Sequence, residues 1–215
     1  GETKTEWNLD GHESGKDETP GYMIPGPFTE LLGVLRDTLD RDAVVVNDMT
    51  MISYQARRTF PVYQPRTFLA PTVYGTLGFS MPAAVGAKIA CPDKQVVSLC
   101  GDGGFMLNVS ELWTAVEINS NIIFMVMNDK GYGVIKHIQD SLYGGRKNFA
   151  DLLVPNFREL ADTCKMKYLV VKSSREFENI LKKAFNLPGP VLLEIDINSI
   201  GELPRYFIPP PFTEK

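Results

Sequence analysis

Two apolar runs, each ending in a glycine-rich turn with an acidic residue, constrain the fold of this chain more than any other feature. Residues 96–100 (VVSLC) are predicted to form a buried strand that ends at the turn GDGG, residues 101–104. Residues 122–127 are predicted to form a second buried strand, which ends at NDKGYG, residues 128–133. Buried strands of this kind are typical of parallel sheets in α/β folds, whose strand ends face ligands. The two turns are therefore expected at the same edge of one sheet.

The acidic side chains of these turns indicate metal and anion chemistry. Asp102 and Asp129 carry hard oxygen ligands of the kind that Mg²⁺ and Ca²⁺ prefer. The neighbouring glycines let backbone N–H groups approach an anion closely. A magnesium ion that joins the carboxylates to a diphosphate fits both features. A dinucleotide-binding G-x-G-x-x-G motif starting at Gly101 fits less well, because it requires glycine where Met106 stands.

The rest of the chain repeats an α/β rhythm. Between the two motifs, Asn108 is predicted to cap a helix that begins ahead of Val109-Ser110-Glu111. Ser173 and Glu176 have the spacing of a capping box, and residues 140–155 are predicted to form a loop. Further helices are predicted over residues 27–40, 83–87, 134–138, 157–164 and 174–185, and further strands over 43–46, 168–171 and 191–195.

Composition narrows the class of protein. The 215 residues are 44% hydrophobic and 22% charged, which suits one α/β domain with a sizeable core. The net charge of −4 gives no basic surface for nucleic acid, and no run of eighteen apolar residues predicts a membrane span. The three cysteines lack metal-site spacing and are expected to be reduced. These features predict a cytoplasmic protein, with an organelle matrix as the alternative location.

The sequence predicts three segments. Residues 1–25 are polar, contain several glycines and prolines, and show no periodicity, so they are interpreted as a linker or an artificial remnant. Residues 26–200 form the folded domain. Residues 201–215 are rich in proline and aromatic residues and are expected to dock on a neighbouring surface.

Gly101-Asp102-Gly103, followed after a helix and a strand by Asn128-Asp129, resembles the GDG…N motif of thiamine-diphosphate-dependent enzymes. The similarity is greatest to the acetolactate synthase, pyruvate oxidase and benzoylformate decarboxylase group. It implies a three-layer α/β/α fold with a mostly parallel central sheet, and thiamine diphosphate and Mg²⁺ as cofactors. It also implies that Asp102, Asp129 and the backbone carbonyl of Gly131 hold the metal.

The second metal ligand departs from the family pattern. The family usually has asparagine where this chain has Asp129, and Asn128 is the alternative ligand. Counting back from Gly133 favours Asp129. Lys130 or Lys136 would offset the extra negative charge.

The same resemblance assigns further residues to the cofactor. Leu77 occupies the position of a bulky apolar side chain that bends the cofactor into a V shape, and the Gly75 carbonyl would hold its 4′-amino group. These two residues would contribute to catalysis through cofactor conformation; for Leu77, a core role is the alternative. Thr50 fits a diphosphate contact, with a simple helix cap as the alternative. The implied cofactor set is completed by Gly101, Asp102, Gly103, Gly104, Asp129, Gly131, Tyr132 and Gly133.

The resemblance implies decarboxylation or carboligation of a small 2-oxo acid, or both. Val134, Ile135 and Ile138 would line the substrate pocket, although a core role is an alternative for them. The catalytic glutamate of the family belongs to a separate pyrimidine-binding domain, and no segment here resembles that domain. We therefore expect this chain to be the diphosphate-binding domain of an enzyme that is inactive without its partner domain.

The missing domain also implies that the complete protein is a homodimer or homotetramer. The use of FAD by the full-length protein is left open, and the substrate is not identified. Two other interpretations remain at this point. One is a non-catalytic diphosphate-binding module or partner subunit, and the other is an ordinary nucleotide-binding α/β domain.

Overall fold

The computed structural model describes residues 26–201. The predicted linker, residues 1–25, and the proline-rich tail beyond Gly201 lie outside the described residues. Within the described range, Gly201 lies beside Pro27, since a Cβ added at Gly201 would be 3.2 Å from the Pro27 Cγ. The two ends of the domain are therefore adjacent in space.

A single six-stranded sheet forms the centre of the domain, and all of its pairings are parallel. Its strands are β1 (Val44–Asn47), β2 (Phe68–Leu69), β3 (Val96–Gly101), β4 (Ile122–Asn128), β5 (Lys167–Val171) and β6 (Val191–Asp196). Their spatial order is β2-β1-β3-β4-β6-β5. The chain thus moves outward from β1 to β2 and then returns to place β3 on the other side of β1. Ligand sites of open α/β sheets lie at the carboxyl ends of the strands at such a reversal.

Helices cover both faces of the sheet, which confirms the three-layer α/β/α fold. They are α1 (Pro27–Thr38), α2 (Met51–Thr59), α3 (Ser80–Ala90), α4 (Asp102–Leu107), α5 (Glu111–Glu117), α6 (Gly133–Leu142), α7 (Phe157–Thr163) and α8 (Ser174–Phe185). Helices α1, α2 and α8 pack on one face, and α3, α4, α5 and α7 pack on the other. In the described part of the chain, no helix is long and apolar enough to cross a membrane.

The central strands are apolar on both sides because both of their faces are covered. Along β3, Val97 and Leu99 join the core beneath α1, α2 and α8, whereas Val96 and Cys100 join the core on the opposite face. β4 follows the same alternation and is buried along its whole length. This double burial explains why the two strands are continuous apolar runs in the sequence rather than alternating ones.

Several local predictions are confirmed. The predicted helices and strands occur with boundaries that shift by a few residues, and Ser173 and Glu176 form the expected capping box. The three cysteines are free, and two of them are buried.

Three local predictions were wrong. Residues 102–104 form the start of helix α4 instead of a turn. Asn108 ends α4 instead of starting α5, and its side chain donates to the Gly78 carbonyl (2.8 Å), a contact 30 residues away in the chain. Helix α6 extends to Leu142, so the loop predicted from residue 140 begins later.

Candidate functional site

A cavity of about 220 Å³ opens at the carboxyl ends of β1, β3 and β4. It brings together nearly all of the residues that the sequence singled out: Thr50, Gly75, Leu77, Gly101, Asp102, Gly103, Gly104, Asp129, Gly131, Tyr132, Gly133, Val134 and Ile135. Ile138 is not among the lining residues. Sequence reasoning missed six others: Phe28, Met49, Met51, Tyr54, Met127 and Ile197. Met49 and Met127 lie near the carboxyl ends of β1 and β4, so their positions next to these strand ends could have identified them as cavity residues.

Asp102 is held rigidly at the floor of this cavity. It follows directly after β3 and is 1% exposed. Its Oδ1 accepts a hydrogen bond from the backbone N–H of Gly103 (2.7 Å), and its Oδ2 accepts one from the N–H of Gly131 (3.0 Å). Burial raises the pKa of the Asp102 carboxyl, and these N–H donors oppose the rise. Each oxygen keeps a lone pair, so the carboxylate is still able to bind a cation.

Asp129 lies beside Asp102 because β3 and β4 are neighbours in register, with Gly101 opposite Met127. Burial, and then the negative charge of Asp102, raise the pKa of the Asp129 carboxyl to about 6. Its side chain occupies space that only a glycine leaves open, since a Cβ at Gly133 would collide with Asp129 Oδ2. Two carboxylates that disfavour each other's charge form a site that a divalent cation would stabilise.

Lys136 is one of the two lysines, with Lys130, that the sequence suggested as a compensating charge. Its Nζ forms an ion pair with Asp151 (2.9 Å) and donates to the backbone carbonyl of Lys130 (3.1 Å). The positive charge lowers the pKa of both site carboxyls, although burial outweighs it at each of them. Lys136 therefore offsets part of the negative charge without neutralising the carboxylate pair.

The loop between β4 and α6 is fixed by a short antiparallel contact with the segment after α6. Tyr132 N–H donates to the Ala150 carbonyl (2.8 Å), and Leu152 N–H donates to the Lys130 carbonyl (3.0 Å). The Gly131 carbonyl accepts from Gly133 N–H (3.1 Å) and retains its second lone pair. This carbonyl is therefore able to serve as the third metal ligand that the resemblance implies.

Asn128, the alternative second ligand, is engaged elsewhere. Its side-chain N–H donates to Glu194 Oε1 (2.6 Å), and its Oδ1 accepts from Lys130 N–H (3.3 Å). Glu194 also accepts from the hydroxyl of Tyr168. Asn128 does not line the cavity, so the geometry favours Asp129 as the side chain that faces a metal.

Residues 26–201 provide too few ligand side chains for a self-sufficient metal site. Within residues 26–201, no group of three or more His, Cys, Asp or Glu side chains is arranged to hold a metal ion. Magnesium is commonly held by one or two protein carboxylates and completes its octahedral shell with water and phosphate oxygens. The donor set of Asp102, Asp129 and the Gly131 carbonyl fits this pattern.

Thr50 and the 75–78 turn also line the cavity, and Thr50 lies beside the end of β3, since a Cβ added at Gly101 would be 3.0 Å from the Thr50 hydroxyl oxygen. Thr50 stands at the start of α2, but its hydroxyl makes no capping hydrogen bond. Gly75 and Gly78 adopt positive φ angles of 61° and 84°, which place Leu77 at the cavity. Leu77 is half-buried and belongs to neither core cluster, which argues against a core role for this side chain.

The start of α6 forms a further wall. Val134 and Ile135 line the cavity, although none of the residues of α6 is fully buried. The described lining contains no Lys, Arg or His side chain, so the two carboxylates are its only charged side chains, and its other polar side chains are the hydroxyls of Thr50, Tyr54 and Tyr132.

Comparison with known proteins adds an independent observation. The family model described as "Thiamine pyrophosphate enzyme, C-terminal TPP binding domain" matches residues 48–195. A probable acetolactate synthase large subunit of Methanococcus aeolicus is 33% identical over 178 residues, covering 81% of this chain and 29% of the relative. The mitochondrial acetolactate synthase catalytic subunit of Saccharomyces cerevisiae is 30% identical over 183 residues, covering 85% and 27%. The chain thus spans less than a third of the length of these relatives.

Proposed function

The chain belongs to the thiamine pyrophosphate enzymes, as their C-terminal TPP-binding domain, and on that premise we propose that it binds thiamine diphosphate through Mg²⁺ within an acetolactate synthase-like enzyme. The observation that carries this proposal is the pair of carboxylates that line the cavity, the buried Asp102 and the half-buried Asp129. Two carboxylates alone would repel a diphosphate. A divalent cation between them and the phosphates converts that repulsion into attraction.

The residues of this chain have distinct roles in the proposal. Asp102, Asp129 and the Gly131 carbonyl hold the metal. The Thr50 hydroxyl, which has no capping partner, donates to the diphosphate. Leu77 would contact the cofactor rings and favour their bent conformation, and the Gly75 carbonyl would accept a hydrogen bond from the amino group. When bound, thiamine diphosphate supplies the electron sink for breaking or forming a bond next to a carbonyl.

The apolar wall formed by Val134 and Ile135 supports a small 2-oxo acid as the substrate. A substrate carboxylate placed against this wall loses hydration and finds no cationic partner among the described lining residues. When carbon dioxide leaves, the bonding electron pair would stay on the substrate and pass to the electron sink that the bound cofactor supplies, so no isolated charge would remain against the apolar wall and the environment favours decarboxylation. Whether the product is released or joined to a second carbonyl compound decides between a lyase and a transferase.

Catalysis requires a group that this part of the protein does not provide. Both carboxylates of the described lining are assigned to the metal, which leaves no acidic side chain there to exchange a proton with the cofactor. We propose that a pyrimidine-binding domain outside this chain supplies that group, in a homodimer or homotetramer. The same observation supports a second candidate, in which this chain is a diphosphate-binding module without activity of its own. Use of FAD would depend on the remainder of the longer protein.

Calorimetry with thiamine diphosphate, with and without Mg²⁺, tests the proposal on the 215-residue chain. We expect binding only in the presence of the divalent cation. Asp102→Ala should abolish binding, whereas Asp129→Asn should largely retain it, because an amide oxygen still binds Mg²⁺. Asp162→Ala, a change of an exposed aspartate on α7, is the control and should bind like the parent. Equal affinity in EDTA would show that the metal has no role.

A further inference from the structure

Asp48 is a buried carboxylate that neither sequence motif includes. It follows β1 directly and is fully buried. Its own N–H donates to the Leu99 carbonyl (2.8 Å), which fixes its backbone to β3. No ion pair involves Asp48 in the described part of the chain. A buried anion without a counter-ion is costly unless hydrogen-bond donors surround it, so its partners explain its presence.

These partners are three backbone N–H groups. Asp48 Oδ1 accepts from Met49 (2.8 Å) and from Gly78 (3.0 Å), and Oδ2 accepts from Ser80 (2.9 Å). Gly104 leaves space for the carboxylate, because a Cβ at that position would lie 2.8 Å from Asp48 Oδ1. One side chain therefore joins the end of β1 to the turn that carries Leu77.

Asn108 holds the same turn from the opposite side. Its side-chain N–H donates to the Gly78 carbonyl (2.8 Å), so the N–H and the C=O of Gly78 are both bound by side chains. In the described range, no backbone–backbone hydrogen bond joins residues 72–78 to the rest of the domain. The side chain of Met49 packs against Gly75, since a Cβ there would be 3.2 Å from Met49 Cε. The position of the turn thus depends on side chains.

We propose that Asp48, assisted by Asn108, is a positioning residue that holds the 75–78 turn in place. The turn in its position would keep Leu77 and the Gly75 carbonyl next to the cofactor rings. This inference rests on the proposed function. It assigns Asp48 to the thiamine part of the cofactor and not to the diphosphate, for which the proposed function uses the carboxylate pair and Thr50. The two parts of the ligand can therefore be tested separately.

The test compares the affinities of Mg²⁺–pyrophosphate and Mg²⁺–thiamine diphosphate for the 215-residue chain. The ratio of these affinities reports the contribution of the thiamine part. In Asp48→Asn, the amide N–H₂ faces a backbone N–H, so one of the two bonds to Gly78 and Ser80 is replaced by a contact between donors. We expect pyrophosphate affinity within about twofold of the parent and thiamine diphosphate affinity lower by roughly tenfold or more, the scale for losing a hydrogen bond to a charged group.

Two further variants keep the test decisive. Asn108→Ala acts on the other side of the turn at a less buried position, and it should reduce the same ratio even if Asp48→Asn fails to fold. Ser98→Ala, a buried polar change on β3 outside the turn, is the matched control and should leave the ratio unchanged. The near-ultraviolet circular dichroism of bound thiamine diphosphate should change in the Asp48 and Asn108 variants and not in the control.

The outcomes separate this inference from the proposed function. If the parent protein prefers thiamine diphosphate and the Asp48 and Asn108 variants keep that preference and the same spectrum, the positioning role is wrong while the function stands. An equal loss of both affinities would indicate general destabilisation and would also overturn it. If the parent does not distinguish the two ligands, the proposed function fails, and the positioning role fails with it.

Discussion

At the scale of single residues, the two site carboxylates oppose the stability of the domain in which they lie. Asp102 is buried and Asp129 is half-buried, both carboxyls have raised pKa values, and the charge of Asp102 is one cause of the pKa shift at Asp129. Such an arrangement is common at functional sites, where a ligand supplies the compensating charge. In this protein, Mg²⁺ with a diphosphate would be that ligand.

The raised pKa of the Asp129 carboxyl predicts that the stability of the folded domain depends on pH. The pKa of the Asp129 carboxyl is raised to about 6 in the folded protein, above the value of roughly 3.9 for an unfolded aspartate. Between these values the folded state binds more protons than the unfolded state, so the free energy of unfolding decreases as the pH rises through this range. The metal-free protein should therefore gain melting temperature between pH 7 and pH 5 relative to Asp129→Asn, which lacks the titrating group. The melting temperatures are measured by calorimetry in EDTA. If both proteins show the same dependence on pH, the pKa of the Asp129 carboxyl is not raised in the folded protein.

Leu77 gives a second prediction at this scale. Because Leu77 belongs to neither core cluster, Leu77→Ala should change the melting temperature little. In the complete enzyme it should lower turnover on the order of a hundredfold, the effect of misplacing reacting atoms by about 1 Å, with a smaller loss of cofactor affinity. Leu99→Ala is the contrasting variant: it opens a cavity in the core and should cost roughly 2–5 kcal/mol of stability. Normal turnover by Leu77→Ala with a core-like loss of stability would rule out a role beneath the cofactor.

At the scale of elements, the loop after β4 is held by the neighbouring strand as well as by its own turn. Asn128, the last residue of β4, joins Glu194 on β6 to the N–H of Lys130, which has a positive φ of 55°. This network positions the loop that carries Asp129 and the Gly131 carbonyl. Groups that orient metal ligands in this way typically contribute to metal affinity without touching the metal.

Glu194→Ala should therefore weaken Mg²⁺–thiamine diphosphate binding by roughly tenfold or more, the range seen when a residue that orients metal ligands is removed. Tyr168→Phe is the matched control, because it removes the other hydrogen bond to Glu194 and leaves the bond from Asn128 in place. Calorimetry should show a much smaller effect for the control. Equal losses in both variants would mean that the network stabilises only the sheet.

The elements also show how far the sequence could predict this structure. The buried strands, the helix at residues 174–185 and the cavity residues of the two motifs were predictable because local apolar patterns and short motifs specify them. Asn108 was assigned wrongly because its partner, the Gly78 carbonyl, is distant in the sequence, so no local pattern indicates it. The role of Asp48 was invisible for the same reason, and β2, with two residues, is too short to produce a pattern.

At the scale of the whole molecule, several large apolar side chains are exposed on segments that lie next to cavity-lining residues in the chain or pair with them. Tyr74, next to the lining residue Gly75, is 95% exposed, and its neighbour Val73 is 85% exposed. Phe149 and Leu153 are fully exposed at either end of the segment that pairs with the loop after β4. Large apolar side chains in such a group are typical of a surface that contacts another protein domain.

The chain by itself should consequently self-associate. Light scattering at increasing protein concentration should show species larger than a monomer, and replacing Tyr74 and Leu153 by serine should reduce them, because these side chains make no core contacts that the changes would disturb. Replacing Ile89, an exposed apolar residue at the end of α3, by serine is the control. A monodisperse monomer of the parent chain at high concentration would contradict this expectation.

Gly201 and Pro27 are adjacent, which determines where any further domain of a longer chain would be linked to this one. Phe28 and Ile197, each within four residues of one end of the described domain, line the cavity. A domain joined to either end of residues 26–201 would therefore be linked at a point close to the cavity. A short flexible tether confines its partner at an effective concentration in the millimolar range. A surface of modest intrinsic affinity would then be sufficient to keep the cavity covered.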